Sequence, residues 1–187
     1  MHTTCATIAA CLAVMPIATM AANADPATAD RLHFEAIVID THDDTTQRLL
    51  DPGFDLGVRH ADGSIDIPRM RAGGLDAIFF SIWTPGTLTG EQAVTQALRQ
   101  IDAVRFQVMQ HPHDLVLATT ADGIRKAAAE GRIAVLLGLE GGHMIANDLA
   151  NLRKFYDLGV RYMTLTHMVN TDWADSSTDT PKSAGLS

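Results

Sequence analysis

Metal-ligating and acid–base residues fall in three places in this chain, each at the end of an apolar run. His42, Asp43 and Asp44 follow Ala36 to Ile39, Glu140 and His143 follow Ile133 to Leu139, and His167 follows Tyr162 to Leu165. In parallel α/β folds such residues collect at the C-terminal ends of strands, where loops build the site. The pattern points to metal-dependent hydrolysis.

His42 and Asp44 are two residues apart. On an extended segment both side chains share one face while Asp43 points away, which makes a natural two-ligand corner. The plainer reading is a loop start, with an Asp capping the next turn. Glu140 ends a run of leucines, where a carboxylate is costly unless paired or bound to a cation. Gly141 and Gly142 allow the backbone to turn closely around such a site. The alternative is a strand-end glutamate solvated by its loop. His143 fits a pocket liner or a backbone hydrogen-bonder, and His167 a ligand, a substrate contact or a satisfied core histidine. Asn170, Trp173 and Asp175 suit a pocket wall. His33, His60, His111 and His113 read as incidental.

The elements that must position these residues alternate. Strands are expected at Ala36–Ile39, Leu75–Trp83, Leu115–Ala118, Ile133–Leu139 and Val160–Leu165. The first is too apolar on both faces for a surface strand. Asp66 reads as the N-cap of a short helical turn with Pro68 in its first turn. The longest helix spans Glu91–Gln110, with Ala93, Ala97, Ile101, Val104 and Val108 on one face. Further helices run from Thr120 or Ala121 to Glu130 and from Asp148 to Leu158, the latter burying Leu149, Leu152, Phe155 and Tyr156. Alternating strands and helices with continuous apolar strands mean a parallel sheet of βαβ units. Four or five strands make about half of a barrel. A closed (β/α)8 barrel takes about 250 residues, and this chain has 187.

Composition narrows the chemistry. A net charge of −8 without a basic run argues against nucleic acid. Both cysteines, Cys5 and Cys11, lie in the first 24 residues, which carry no Lys, Arg, Asp or Glu. That stretch reads as an export signal ending at Ala22-Asn23-Ala24, and the protein as periplasmic or extracellular. Ile8-Ala9-Ala10-Cys11 resembles an acylation box but lies too near the start, so membrane association is expected only through lipidation. Residues 25–35 read as a polar spacer and 36–187 as the barrel domain. With no thiol after the leader, a metal site must use His, Asp and Glu, which suits zinc, manganese or another first-row metal. There is no Gly-x-Ser-x-Gly elbow and no phosphate-binding Gly-Lys loop.

Four stretches together resemble the membrane, or renal, dipeptidase family of the amidohydrolase superfamily. They are Ile39-Asp-Thr-His-Asp-Asp44, Asp66-Ile-Pro-Arg-Met-Arg-Ala-Gly-Gly74, Leu139-Glu-Gly-Gly-His143 and Tyr162-Met-Thr-Leu-Thr-His167, with Asn170, Trp173, Ala174 and Asp175 beyond. The resemblance implies a (β/α)8 barrel holding two zinc ions. His42 and Asp44 would bind the first, Glu140 would bridge both as the catalytic carboxylate, and His167 would contact substrate near the scissile carbonyl. A hydroxide between the zincs would attack the peptide bond of a dipeptide. In the family the second zinc takes two later histidines, and the acid–base aspartate comes later still. The expectation is therefore an N-terminal part of a dipeptidase, inactive and poorly folded alone. A homodimer is compatible with this. The rivals are another amidohydrolase acting on cyclic amides or lactones, and a non-catalytic metal-binding fragment.

Overall fold

The computed structural model describes residues 25–186, so the leader with Cys5 and Cys11 lies outside the described residues. Helix α1 (Pro26–Glu35) opens the described chain, followed by strand β1 (Ile39–Asp43). After a 3-10 turn at Thr45–Leu50 come α2 (Ile67–Ala72), β2 (Ala77–Trp83) and α3 (Glu91–Gln110). Then follow β3 (Leu115–Leu117), α4 (Ala121–Ala129), β4 (Ile133–Glu140), α5 (Leu149–Asp157) and β5 (Val160–Thr164). Among the described residues no helix is long and apolar enough to cross a membrane.

Every strand pair is parallel. β1 pairs with β2 and β2 with β4, while β3 and β5 both pair with β4. Those last two share one side of β4: β3 meets Ile133–Val135 at its start and β5 meets Leu137–Glu140 at its end. The wall therefore has four positions, β1, β2, β4 and β5, with β3 filling in below β5. This is one side of a (β/α)8-type barrel.

Alternation along β2 and β4 sorts their side chains onto two faces. Ile78, Phe80 and Ile82 with Val135, Leu137 and Leu139 join the main core, together with Ala93, Val94, Ala97, Ile101 and Val104 from α3. A smaller cluster holds Ala77, Ala134 and Leu136 with Ala118 and Ala127. On that second face, toward the strand ends, stand Ser81 and Glu140, which are hydrogen-bonded to each other.

Two fully buried amides tie α3 to its neighbours. Gln100 donates to the carbonyl of Trp83 at 2.6 Å and accepts from its N–H at 2.9 Å. Gln107 donates to Phe54 O and accepts from Leu56 N–H, anchoring the loop before α2. Asp66 caps α2 as its sequence predicts, accepting from Arg69 N–H at 2.8 Å, with Pro68 in the first turn. Thr120 and Asp148 cap α4 and α5 in the same way.

Some expectations change. The spacer is helical, because Asp25 caps Pro26 at a position that suits proline, although the helix buries no residue. The first strand begins only at Ile39 and runs through Asp43, so His42 lies on the strand and not after it. Ile37 and Ile39 are 45% and 41% exposed, since β1 has a neighbour on one side alone among the described residues. On α5, Phe155 is buried and Leu152 partly so, but Leu149 and Tyr156 face outward. Tyr156 instead carries the Arg161 guanidinium 4.2 Å above its ring.

Candidate metal centre

The register brings the upper ends of the strands level. Trp83 lies opposite Glu140, and Glu140 opposite Thr164. The expected site residues gather there. His42 Nε2 is 3.4 Å from Asp44 Oδ1 and 3.5 Å from Glu140 Oε2. The other oxygen of Glu140, Oε1, faces His167 Nε2 at 3.8 Å. One glutamate thus stands between two histidines, with a different oxygen toward each. Asp43, as expected, turns away: it is buried and accepts from Thr45 N–H.

These separations suit a shared cation better than direct bonds. Two ligands each about 2.1 Å from one ion at a tetrahedral angle stand about 3.4 Å apart. Direct hydrogen bonds would draw the same atoms in to about 2.9 Å. Ligand atoms of His42, Asp44 and Glu140 all lie within 4.8 Å of one another. The donor set is one imidazole and two carboxylates with no thiolate, which suits zinc or a similar first-row metal.

Sheet curl makes the cluster possible. β1 and β5 are three strand spacings apart, about 14 Å in a flat sheet. Yet His42 Nδ1 on β1 lies 3.2 Å from the Tyr162 hydroxyl on β5. The two side chains meet across the concave face. Burial raises the Tyr162 phenol above the ordinary tyrosine value, and the charges of Glu140, Asp44 and Asp40 push it the same way.

Around this centre the rim is closely fitted. Gly141 has φ +124°, and a side chain there would strike the His143 ring. A Cβ on Gly142 would sit 2.4 Å from the carbonyl of Leu165 and 2.5 Å from the Trp173 ring. The glycine pair thus allows the close turn expected of it. His143 reaches the Thr84 hydroxyl at 2.9 Å. Burial lowers its pKa below the usual histidine value, hydrogen bonding to the Thr84 backbone opposes this, and the charge of His167 adds to the lowering. Its Nδ1, the indole nitrogen of Trp83 and the Thr164 hydroxyl are buried without hydrogen-bond partners among the described residues. Trp83 meets the His167 ring edge-on at 5.9 Å.

Beyond β5 the loop is built by side chains. Asp175 accepts from the N–H groups of Lys182, Ser183 and Gly185, which hold its carboxyl below the usual range. Asn170 accepts from Ser176 N–H and donates to Thr180 O. Trp173 donates to Asn147. Of the expected wall residues, Asp175 therefore braces the loop. Three of the four histidines read as incidental are structural: His33 contacts Gly73 O, His60 contacts Asp55 O, and His111 pairs with the Asp55 carboxylate.

Comparisons with known proteins agree with this architecture. Dipeptidase 3 of Rattus norvegicus is 43% identical over 116 residues, covering 62% of this chain and 23% of that protein. Dipeptidase ataJ of Aspergillus terreus is 37% identical over 125 residues, covering 63% of this chain and 30% of its own length. The chain thus spans under a third of these two relatives. Among solved structures, dipeptidase AC, a metallopeptidase of family M19, superposes with a TM-score of 0.68 at 26% identity. That match covers 74% of this chain and 45% of the other. The family described as membrane dipeptidase (peptidase family M19) matches residues 26–187. A parallel barrel wall, a His–Asp–Glu cluster at its upper rim and a match over nearly the whole described chain lead to one assignment: this chain belongs to the membrane dipeptidase family, M19.

Proposed function

We propose that the chain supplies the first half of a zinc dipeptidase site. The observation that carries this reading is the convergence of ligand atoms of His42, Asp44 and Glu140 within 4.8 Å of one another at the ends of two strands. His42, Asp44 and Glu140 would hold a zinc ion, and the other carboxylate oxygen of Glu140, which faces His167, would be available to a second. A bound zinc is a Lewis acid that polarises a carbonyl and makes water nucleophilic near neutral pH. Ser81 donates to Glu140 Oε2 at 3.2 Å and fixes the carboxylate plane. His167, 27% exposed beside Glu140, is placed to hydrogen-bond the carbonyl of a dipeptide. Trp83 limits how that ring can tilt.

Among the described residues one such cluster of three groups is found. The family resemblance implies further ligands for a second ion and an acid–base group beyond this cluster. The expected result for the purified 187-residue chain is one zinc by elemental analysis and no turnover of a simple dipeptide. Glu140→Gln should abolish zinc uptake. Two zincs with dipeptide hydrolysis would show that this chain completes the site by itself or across a dimer. No zinc in the wild-type chain at micromolar metal would remove the basis of the proposal.

A further inference from the structure

A ligating histidine presents one ring nitrogen to the metal and is held by the other. Nε2 of His42 faces Asp44 and Glu140, and Nδ1 faces the Tyr162 hydroxyl at 3.2 Å. That hydroxyl also lies 3.4 Å from the carbonyl of Thr41. A carbonyl can only accept, so the phenol proton turns toward Thr41 and the phenol oxygen accepts from Nδ1–H. Nε2 is then left with a free lone pair directed between two carboxylates, an arrangement that a cation alone makes favourable. The opposite tautomer would turn the phenol proton away from the Thr41 carbonyl and put a hydrogen, not a lone pair, on the Nε2 that faces the two carboxylates.

The tyrosine can reach His42 because β4 makes room for it. A Cβ built on Gly138 would come within 2.0 Å of Tyr162 Cζ and 2.3 Å of its hydroxyl. The ring therefore lies over the backbone of β4. Phe79 of β2 flanks it, with ring centroids 5.3 Å apart. Two strands, β2 and β4, thus shape the path along which a residue of β5 reaches β1.

We propose that Tyr162 is a positioning residue for the metal centre: from β5 its hydroxyl holds His42 of β1 in the Nδ1–H form and aims Nε2 at the ion shared with Asp44 and Glu140. The inference rests on the zinc reading above and adds a residue outside the ligand set.

The test is zinc affinity of the 187-residue chain, measured by competition with a chromogenic chelator. Wild type, Tyr162→Phe and His42→Ala are compared, each with its metal-free thermal melt. Tyr162→Phe keeps the ring and removes one oxygen. It should bind zinc about 10- to 100-fold more weakly with an unchanged metal-free melt, and His42→Ala should lose the site. Wild-type affinity in Tyr162→Phe, with His42→Ala deficient, overturns the role of Tyr162 and leaves the zinc reading intact. Equal binding by wild type and His42→Ala overturns both. A metal-free melt that falls together with the affinity assigns Tyr162 to packing and overturns the inference. Should Tyr162→Phe fail to fold, NMR of the zinc-loaded wild type decides: the His42 Nδ1 proton should be protected from solvent exchange, and rapid exchange rejects the proposal.

Discussion

Gly138 is the residue on which the inner face of the wall turns. Its neighbours along β4 are large and fully buried, but at this position the Tyr162 ring occupies the space of a side chain. Gly138→Ala forces that ring aside or shifts the strand backbone. Overpacking of this kind costs about 1–3 kcal/mol, so the urea midpoint should fall accordingly. An unchanged midpoint would mean that the ring has free room to move. The candidate site residues were legible in the sequence. His42, Asp44, Glu140 and His167 are polar residues that interrupt apolar runs, and each lies on the rim where that interruption suggested. Tyr162 was not legible as a site residue. A tyrosine inside an apolar strand reads as core, and its hydroxyl finds His42 120 residues away only because the sheet curls.

At the level of elements, α2 depends on one buried carboxylate. Asp66 is fully buried. Burial alone would raise its pKa, but the N–H groups of His60 and Arg69 and the Arg69 guanidinium outweigh that and lower it. A carboxylate with a depressed folded pKa stabilises the fold above its unfolded value, here about 3.8, and loses that contribution as pH falls through the folded value. Asp66→Ala should therefore cost about 2 kcal/mol at pH 7, from a lost cap and lost charged hydrogen bonds. The difference from wild type should shrink in urea unfolding at pH 3. A constant difference would separate the effect from the charge. The cap was readable because Asp, Ile and Pro stand in the order that starts a helix, and the bounds of α3 were readable from its apolar period. The start of β1 was not. Ile37 and Val38 have strand composition, but Val38 N–H goes to the Asp76 side chain, and ladder pairing begins at Ile39. Nor does α1 carry an apolar stripe that could have announced it. Gln100 and Gln107 escaped for a related reason: amides on an amphipathic helix read as outer face, yet both are buried.

Across the whole molecule, β1 and β5 each have a partner strand on one side among the described residues. Ile37, Ile39, Leu165 and Met168 are exposed near these two edges. Unpaired edges with apolar side chains template further pairing. Light scattering of the 187-residue chain should show self-association that grows with concentration, and Ile39→Lys should reduce it. A monodisperse monomer up to high concentration would show that the edges are adequately blunted. Parallel topology and the half-barrel outline were legible from strand–helix alternation. The shared side of β4 was not, because no pattern in a three-residue strand says which neighbour it will join. The two buried glutamines of α3 have a consequence at this scale as well. Seven residues apart, they lie about 10.5 Å apart along the helix axis, and each bonds to a donor and an acceptor of another segment's backbone. Sliding α3 by a single turn, about 5.4 Å, would unseat both amides at once. The helix therefore works like a bolt with one detent: it cannot creep along the sheet, and the end of β2 beneath the candidate metal centre stays in step with the helical layer.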